Sequence, residues 1–181
     1  MTLEYKKRIS KFLSLILRHQ PETINLDLDG NGWALVSDIL ANKTLKFTMA
    51  ELDEVVQTNS KKRFSFNEDK TKIRANQGHS LTTIDLDLKT QSPPEFLYHG
   101  TVAKFIDAIK KVGLQKMNRQ HVHLSKDQET ATQVGSRRGK PVVLSVRAEQ
   151  MESQGFKFYV SENGVWLTDT VPPEFIVFKK A

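Results

Sequence analysis

The sequence predicts an α+β protein built as two lobes. Three observations carry this. Residues 3–59 hold three helical patterns, and residues 63–75 follow them with a hairpin pattern. Residues 96–178 are rich in short strand patterns, with two helices among them. Between the two blocks lies Leu81–Glu95, which alternates weakly and ends near Ser92–Pro93–Pro94, the composition of a linker. The expected lobes are therefore 1–80 and 96–181, joined by 81–95. A chain of 181 residues is long enough for two small domains.

Composition narrows the function classes. With 38% hydrophobic and 27% charged residues the chain has the balance of a globular protein. A net charge of +6 favours a polyanionic partner. The absence of cysteine excludes disulfides, zinc–thiolate sites and thiol nucleophiles. No apolar run approaches the ~20 residues a membrane span needs. Lys6–Lys7–Arg8 and Phe12–Leu17 imitate a signal peptide faintly, but Arg18–His19 stands where small residues should follow. The protein is expected to be cytoplasmic, with no membrane partner.

The first helix runs from Leu3 to Gln20. Ile9, Phe12, Leu13, Ile16 and Leu17 share its apolar face, and Pro21 ends it. Arg18 and His19 fall in the last turn, where cations complement the helix dipole. Asp27–Leu28–Asp29–Gly30–Asn31–Gly32 imitates the opening of a calcium loop. Position twelve is Asp38 rather than Glu, so a tight turn between short strands is expected instead. Val36–Ala41 and Thr48–Asn59 read as helices, the second opened by a Thr48–Glu51 capping box. Arg63–Asn67 and Thr71–Ala75 form a hairpin around Asn67–Lys70. Three helices and a hairpin are the order of a winged-helix lobe, a common nucleic-acid scaffold.

Lys72–Ile73–Arg74–Ala75–Asn76–Gln77–Gly78–His79–Ser80 follows the hairpin. It joins a guanidinium, two amides, a glycine and an imidazole in one turn-prone segment. That mixture is poor core material and suits a phosphate. Arginine offers a planar fork of donors, and glycine admits close backbone approach.

The second half opens with the strand Phe96–Thr101. A helix follows, with Phe105, Ile106, Ile109 and Val112 on one face and Gly113 at its C-terminus. Arg119–Ser125 alternates as a strand, and a helix spans about Asp127–Val134. Pro141–Val146 is a buried strand pattern. Phe156–Val160 and Val165–Thr168 flank Glu162–Asn163–Gly164 as a hairpin, and Phe175–Phe178 is a last strand.

All five histidines, at 19, 79, 99, 121 and 123, fall in polar clusters. His121 and His123 share one side of a strand, but no third ligand is evident, so no metal is expected. His99–Gly100–Thr101 and His123–Leu124–Ser125 both fit H-x-[ST], the mark of two-histidine phosphoesterases. In those enzymes paired imidazoles act as acid and base on a cyclic phosphate. A cyclic phosphodiesterase is therefore the alternative function. It leaves Arg74 and the first half without a role. No P-loop or dinucleotide fingerprint is present.

Six segments in order resemble the RNA 2′-phosphotransferase (tRNA 2′-phosphotransferase) family, bacterial type. They are Leu17–Arg18–His19–x–Pro21, Arg74–Ala75–x–Gln77–Gly78–His79–Ser80, Leu97–Tyr98–His99–Gly100–Thr101, His121–Val122–His123–Leu124–Ser125, Gly135–x–Arg137 and Glu162–Asn163–Gly164–Val165–Trp166–Leu167–Thr168. The resemblance implies a winged-helix RNA-binding lobe and an ADP-ribosyltransferase-like lobe. It implies NAD as a consumed co-substrate and RNA bearing a 2′-phosphate as substrate, in the chemistry associated with tRNA splicing. The 2′-phosphate attacks the nicotinamide-bearing ribose carbon, and the 2″-hydroxyl of the ADP-ribosylated RNA then attacks phosphorus. The products are 2′-OH RNA, nicotinamide and ADP-ribose 1″,2″-cyclic phosphate.

Under that resemblance Arg18, His19, Arg74 and Arg137 are the catalytic residues, with His19 able to donate a proton. The Gly-x-Arg spacing favours Arg137 over its neighbour Arg138, which would then be only solvated. His99, Gly100, Thr101, Arg119, His123 and Ser125 are expected to hold NAD, with Gly100 giving close backbone approach. Gln77 and His79 are expected to bind the substrate. The chain is expected to act as a monomer without metal.

Overall fold

A computed structural model describes residues 1–178. Internal packing divides the chain into two units, Met1–Asp87 and Leu88–Ala181. Positions 179–181, the end of the expected second lobe, lie outside the described residues. Among the described residues the architecture is α+β, with six α-helices and antiparallel strand pairing throughout.

In the first unit α1 (Leu3–Arg18) begins at Thr2, whose hydroxyl accepts the Tyr5 amide at 3.2 Å. Its apolar stripe buries Ile9, Phe12, Leu13, Ile16 and Leu17, each side chain contributing roughly 1.5–3 kcal/mol by burial. The helix ends two residues before the expected Gln20, so Arg18 is its last residue and His19 its C-cap. The amides of His19 and Gln20 both donate to the Leu15 carbonyl, at 3.0 and 2.8 Å. That shared acceptor closes the helix just ahead of Pro21.

Strand β1 (Ala34–Leu35) leads directly into α2 (Val36–Ala41). Helix α3 (Met49–Gln57) starts at the Thr48–Glu51 capping box, complete in both directions. Strands β2 (Phe64–Phe66) and β3 (Lys72–Ala75) form the expected hairpin, with Ser65 opposite Arg74. The hairpin gains a third strand, because β1 pairs with β3 through Ala34↔Ile73 and Leu35↔Lys72. The 27–32 segment is a turn as expected, but no strand precedes it. Ile9, Leu13, Ile16, Leu17, Ile39, Leu52 and Ile73 are fully buried in this unit's core.

In the second unit β4 (Phe96–Val102) is followed by α4 (Ile106–Val112), which ends at Gly113, and by β5 (Leu114–Gln115). Then come β6 (Val122–Leu124), α5 (Gln128–Ser136), β7 (Pro141–Arg147) and α6 (Ala148–Ser153). Strands β8 (Tyr159–Val160), β9 (Trp166–Thr168), β10 (Thr170–Val171) and β11 (Ile176–Val177) complete it. The strands associate as β11–β7–β4, β6–β9–β8 and β10–β5. A single bridge, Tyr98↔Ser125, links β4 to the start of the loop after β6.

Two helices were expected in this half, and three are observed. Helix α6 buries only Ala148 and Met151, too few apolar positions to show a period in the sequence.

The 81–95 stretch is not a loose tether. The Asp85 amide donates to the Gly30 carbonyl at 2.8 Å, within the first unit. The Gln91 amide donates to the Phe158 carbonyl at 2.8 Å, within the second. No described helix crosses the length and apolarity a membrane span requires.

Candidate active site

Arg137 aside, the expected site residues fall into one cluster in each unit. In the first, the end of α1 meets the segment after β3. The Ser80 amide donates to the Arg18 carbonyl at 3.0 Å, and His19 Nδ1 lies 3.0 Å from Ser80 Oγ. Ser80 Oγ also lies 3.4 Å from the Arg18 carbonyl oxygen.

The Arg18 guanidinium lies 5.7 Å from the Phe64 ring centroid. It runs alongside Gly78, where a Cβ would stand 3.5 Å from Arg18 Nη1. Gly78 has φ +86°, a conformation a side chain would strain. Strand alternation buries Ile73 and Ala75 and turns Arg74 to the opposite face. There its guanidinium carbon sits 4.5 Å from the Trp33 ring centroid. Asn76 is buried, its amide donating to the Arg63 carbonyl at 2.9 Å and its Nδ2 to the Lys62 carbonyl at 2.7 Å. Gln77 is half-buried.

His79 is 1% exposed, and neither ring nitrogen has a hydrogen-bond partner among the described residues. Burial, then the charges of Arg18, His19 and Arg74, push it down to about 4. It is therefore neutral at neutral pH and adds no charge to its cationic neighbours. The structure thus brings Arg18, His19, Arg74 and His79 together. Two arginines, a histidine beside a hydroxyl and a buried imidazole are groups with which an anion could be held and a proton carried.

The second cluster forms where β4 meets β6. Tyr98 and Ser125 exchange backbone hydrogen bonds at 2.9 and 2.7 Å. His99 Nδ1 donates to the His123 carbonyl at 3.2 Å. Arg119 Nη1 donates to His123 Nδ1 at 3.2 Å, which puts the His123 proton on Nε2. Burial lowers His99 most; its bond to His123 opposes this, and the charges of Arg138 and Arg119 add to the lowering. Arg138 also lies 5.9 Å from the Phe105 ring centroid.

Gly100 was expected to give a cofactor close approach. The close approach is to α5: a Cβ at Gly100 would stand 1.8 Å from the Ala131 carbonyl oxygen. Thr101 is likewise buried, its carbonyl 2.9 Å from where a Cβ on Gly135 would stand. These two residues seat α5 on β4. Arg137 caps the C-terminus of α5 and is exposed. Of the adjacent pair, Arg138 is the one whose charge reaches His99 and Arg119.

Sequence reasoning passed over Arg138 and Trp33. The signal for Arg138 was the Gly-x-Arg-Arg run itself, whose second arginine the spacing did not favour. Trp33 gave none, because its position opposite Arg74 depends on a two-residue strand.

The donor set of the second cluster suits a dinucleotide such as NAD. Two arginines match a pyrophosphate, His123 offers a ring N–H at Nε2, and His99 offers Nε2 as an acceptor.

Known proteins match this chain along most of its length. The family model described as "RNA 2'-phosphotransferase, Tpt1 / KptA family" matches residues 4–170. A protein of Flavobacterium johnsoniae named "Probable RNA 2'-phosphotransferase" is 60% identical over 176 residues, covering 96% of each chain. Proteins of the same name from Rhodopirellula baltica and Fusobacterium nucleatum are each 52% identical. The first aligns over 172 residues, 93% of this chain and 94% of its own, and the second over 177 residues, 94% and 97%. The chain therefore belongs to the RNA 2′-phosphotransferase, Tpt1 / KptA family.

Proposed function

We propose that this protein removes an internal 2′-phosphate from RNA, using NAD as a consumed co-substrate. The observation that carries the reading is the gathering of Arg18, His19 and Arg74 around the buried, neutral His79. A 2′-phosphate is close to dianionic at neutral pH and is itself a nucleophile. What it needs is positioning and charge stabilisation, which this cluster is built to give.

In this reading the first unit is the RNA lobe, of winged-helix type, and the second an ADP-ribosyltransferase-like lobe. Arg18 and Arg74 hold the phosphate oxygens through charge-assisted hydrogen bonds. His79 contributes a ring nitrogen without adding charge, and Gln77 contributes an amide. Arg119, His99, His123 and Ser125 hold NAD, assisted by Arg138, while Gly100 and Thr101 fix the strand that carries them. NAD supplies the electrophilic ribose carbon and, once nicotinamide has left, the 2″-hydroxyl that closes on the phosphorus of the ADP-ribosylated RNA.

Arg137 neutralises charge as the phosphorus is attacked. His19 donates a proton to the departing RNA 2′-oxygen and is reprotonated by the proton that the attacking 2″-hydroxyl gives up, so the RNA leaves with a free 2′-hydroxyl. The second phosphorus bond is closed within ADP-ribose 1″,2″-cyclic phosphate. The reading uses no metal, needs no second copy of the chain, and places the reaction in the cytoplasm, where NAD and RNA meet.

The family match over residues 4–170 favours this reading over the cyclic phosphodiesterase alternative, which also leaves Arg74 and the first unit without a role. The test is to incubate the protein with a 2′-phosphorylated oligonucleotide, with and without NAD. Conversion to the 2′-hydroxyl only with NAD supports the reading, and equal conversion without it overturns it.

A further inference from the structure

The turn from Asp29 to Trp33 lies outside every motif assigned to chemistry, yet it touches the first cluster twice. Asp29 closes it. The Asp29 amide donates to the Trp33 carbonyl, and the Asp29 carbonyl accepts from Gly32, both at 2.9 Å. Asp29 Oδ1 accepts from the amides of Asn31 at 3.0 Å and Trp33 at 2.9 Å. The turn is also pinned from outside. Asn31 Nδ2 donates to the Asp85 carbonyl at 2.8 Å, and Lys72 Nζ lies 3.8 Å from Asp29 Oδ2.

Two contacts follow from this rigidity. Gly32 backs the imidazole of His79: a Cβ there would stand 3.3 Å from His79 Nε2. Trp33 meets Arg74. Because Ala34 pairs with Ile73, the next step of the antiparallel register sets Trp33 beside Arg74, on the face away from Ile73. The guanidinium carbon is 4.5 Å from the ring centroid, well inside the ~6 Å range of a cation–π contact.

The geometry of that contact matters. A cation–π contact is carried by the guanidinium charge over the ring and does not itself require an N–H donor. An arginine side chain has several torsions to immobilise when it binds an anion. Stacking on a ring held by its own backbone turn removes much of that freedom in advance.

We infer that Trp33 is a positioning residue of the phosphate site, holding the Arg74 guanidinium against its ring so that it is oriented for the RNA 2′-phosphate. This rests on the reading that Arg74 binds that phosphate. A partly desolvated cation–π contact corresponds to about tenfold in rate.

The test is a double-mutant cycle on the full-length protein: wild type, Trp33→Leu, Arg74→Ala and the double variant. Each is assayed for 2′-phosphate removal at saturating NAD, and its fold is checked by circular dichroism and thermal unfolding. Trp33→Leu should lower kcat/KM about tenfold in the wild-type background and less than about twofold in the Arg74→Ala background. Trp33→Phe should recover most of the loss, since it restores a ring face. If Trp33→Leu does not fold, Trp33→Phe takes its place in the cycle, with an expected loss of about threefold that again vanishes with Arg74→Ala. A loss of equal size in both backgrounds, or none in either, overturns the inference alone, provided Arg74→Ala is itself strongly impaired. Near-full turnover by Arg74→Ala overturns the phosphate-site reading and the inference with it.

Discussion

His19 Nδ1 lies 3.0 Å from Ser80 Oγ across 61 positions of sequence. Ser80 also takes the Arg18 carbonyl on its amide, so the end of α1 and the segment after β3 are fastened at the point where the cations gather. Arg18 is thus placed by the backbone contacts of its segment, and Arg74 by strand β3. Arg18→Ala and Arg74→Ala should each lower turnover on the order of 10²- to 10³-fold, about 3–4 kcal/mol of transition-state stabilisation. Lysine at either position should rescue only in part, since a point charge cannot reproduce the guanidinium fork. Single-turnover assays with thermal melts check this. Near-full turnover by both alanine variants would place the phosphate site elsewhere.

Arg137 and Arg138 should separate kinetically. Arg138 acts on His99 and Arg119 through its charge, so Arg138→Ala should raise the KM for NAD by about two- to fivefold with kcat little changed. Arg137→Ala should instead lower kcat on the order of 10²-fold and let ADP-ribosylated RNA accumulate. Steady-state kinetics with NAD varied, and gel analysis of the RNA, distinguish the two. The opposite pattern would exchange their roles.

His79 ties stability to pH. Its folded value is about 4 against an ordinary 6.5. Between those values the unfolded chain holds a proton that the folded chain does not. Stability therefore rises with pH through this window and levels off above 6.5. The full difference is roughly 3 kcal/mol. Denaturant unfolding at several pH values should show this rise in the wild type and a flatter profile in His79→Gln. Parallel profiles would mean that His79 titrates normally.

The long patterns were legible in the sequence because each is set locally. Helix α1 follows from five apolar residues at helical spacing, α3 from its capping box, and the β2–β3 hairpin from alternation around Asn67–Lys70. The polar segments carrying Arg18, His19, Arg74 and His79 stood out because their arginines, amides, glycine and histidines are poor core material. What stayed hidden depends on distant partners. Strand β1 exists only through its pairing with β3, and with it the meeting of Trp33 and Arg74. The role of Gly100 depends on α5, which arrives from thirty-odd positions downstream. Arg138 looked like a solvated neighbour because charge proximity to His99 has no sequence pattern.

Gly100 gives a prediction about folding. A methyl group there would collide with the Ala131 carbonyl, and a helix backbone cannot yield as a side-chain tip can. Gly100→Ala should destabilise the protein by about 3 kcal/mol or more. Gly30→Ala is the comparison, since a Cβ at Gly30 meets nothing within 4 Å. Thermal unfolding should show a large loss for the first and little change for the second. Similar melting curves for both would mean that α5 does not seat on Gly100.

The central claim is that the 2′-phosphate leaves RNA by transfer to an ADP-ribose acceptor. The most direct measurement follows a radiolabelled 2′-phosphate on an oligonucleotide through the reaction with NAD. The account predicts that the label passes through ADP-ribosylated RNA and ends in ADP-ribose 1″,2″-cyclic phosphate, with one nicotinamide released per phosphate. Label appearing as inorganic phosphate, at a rate indifferent to NAD, would contradict it.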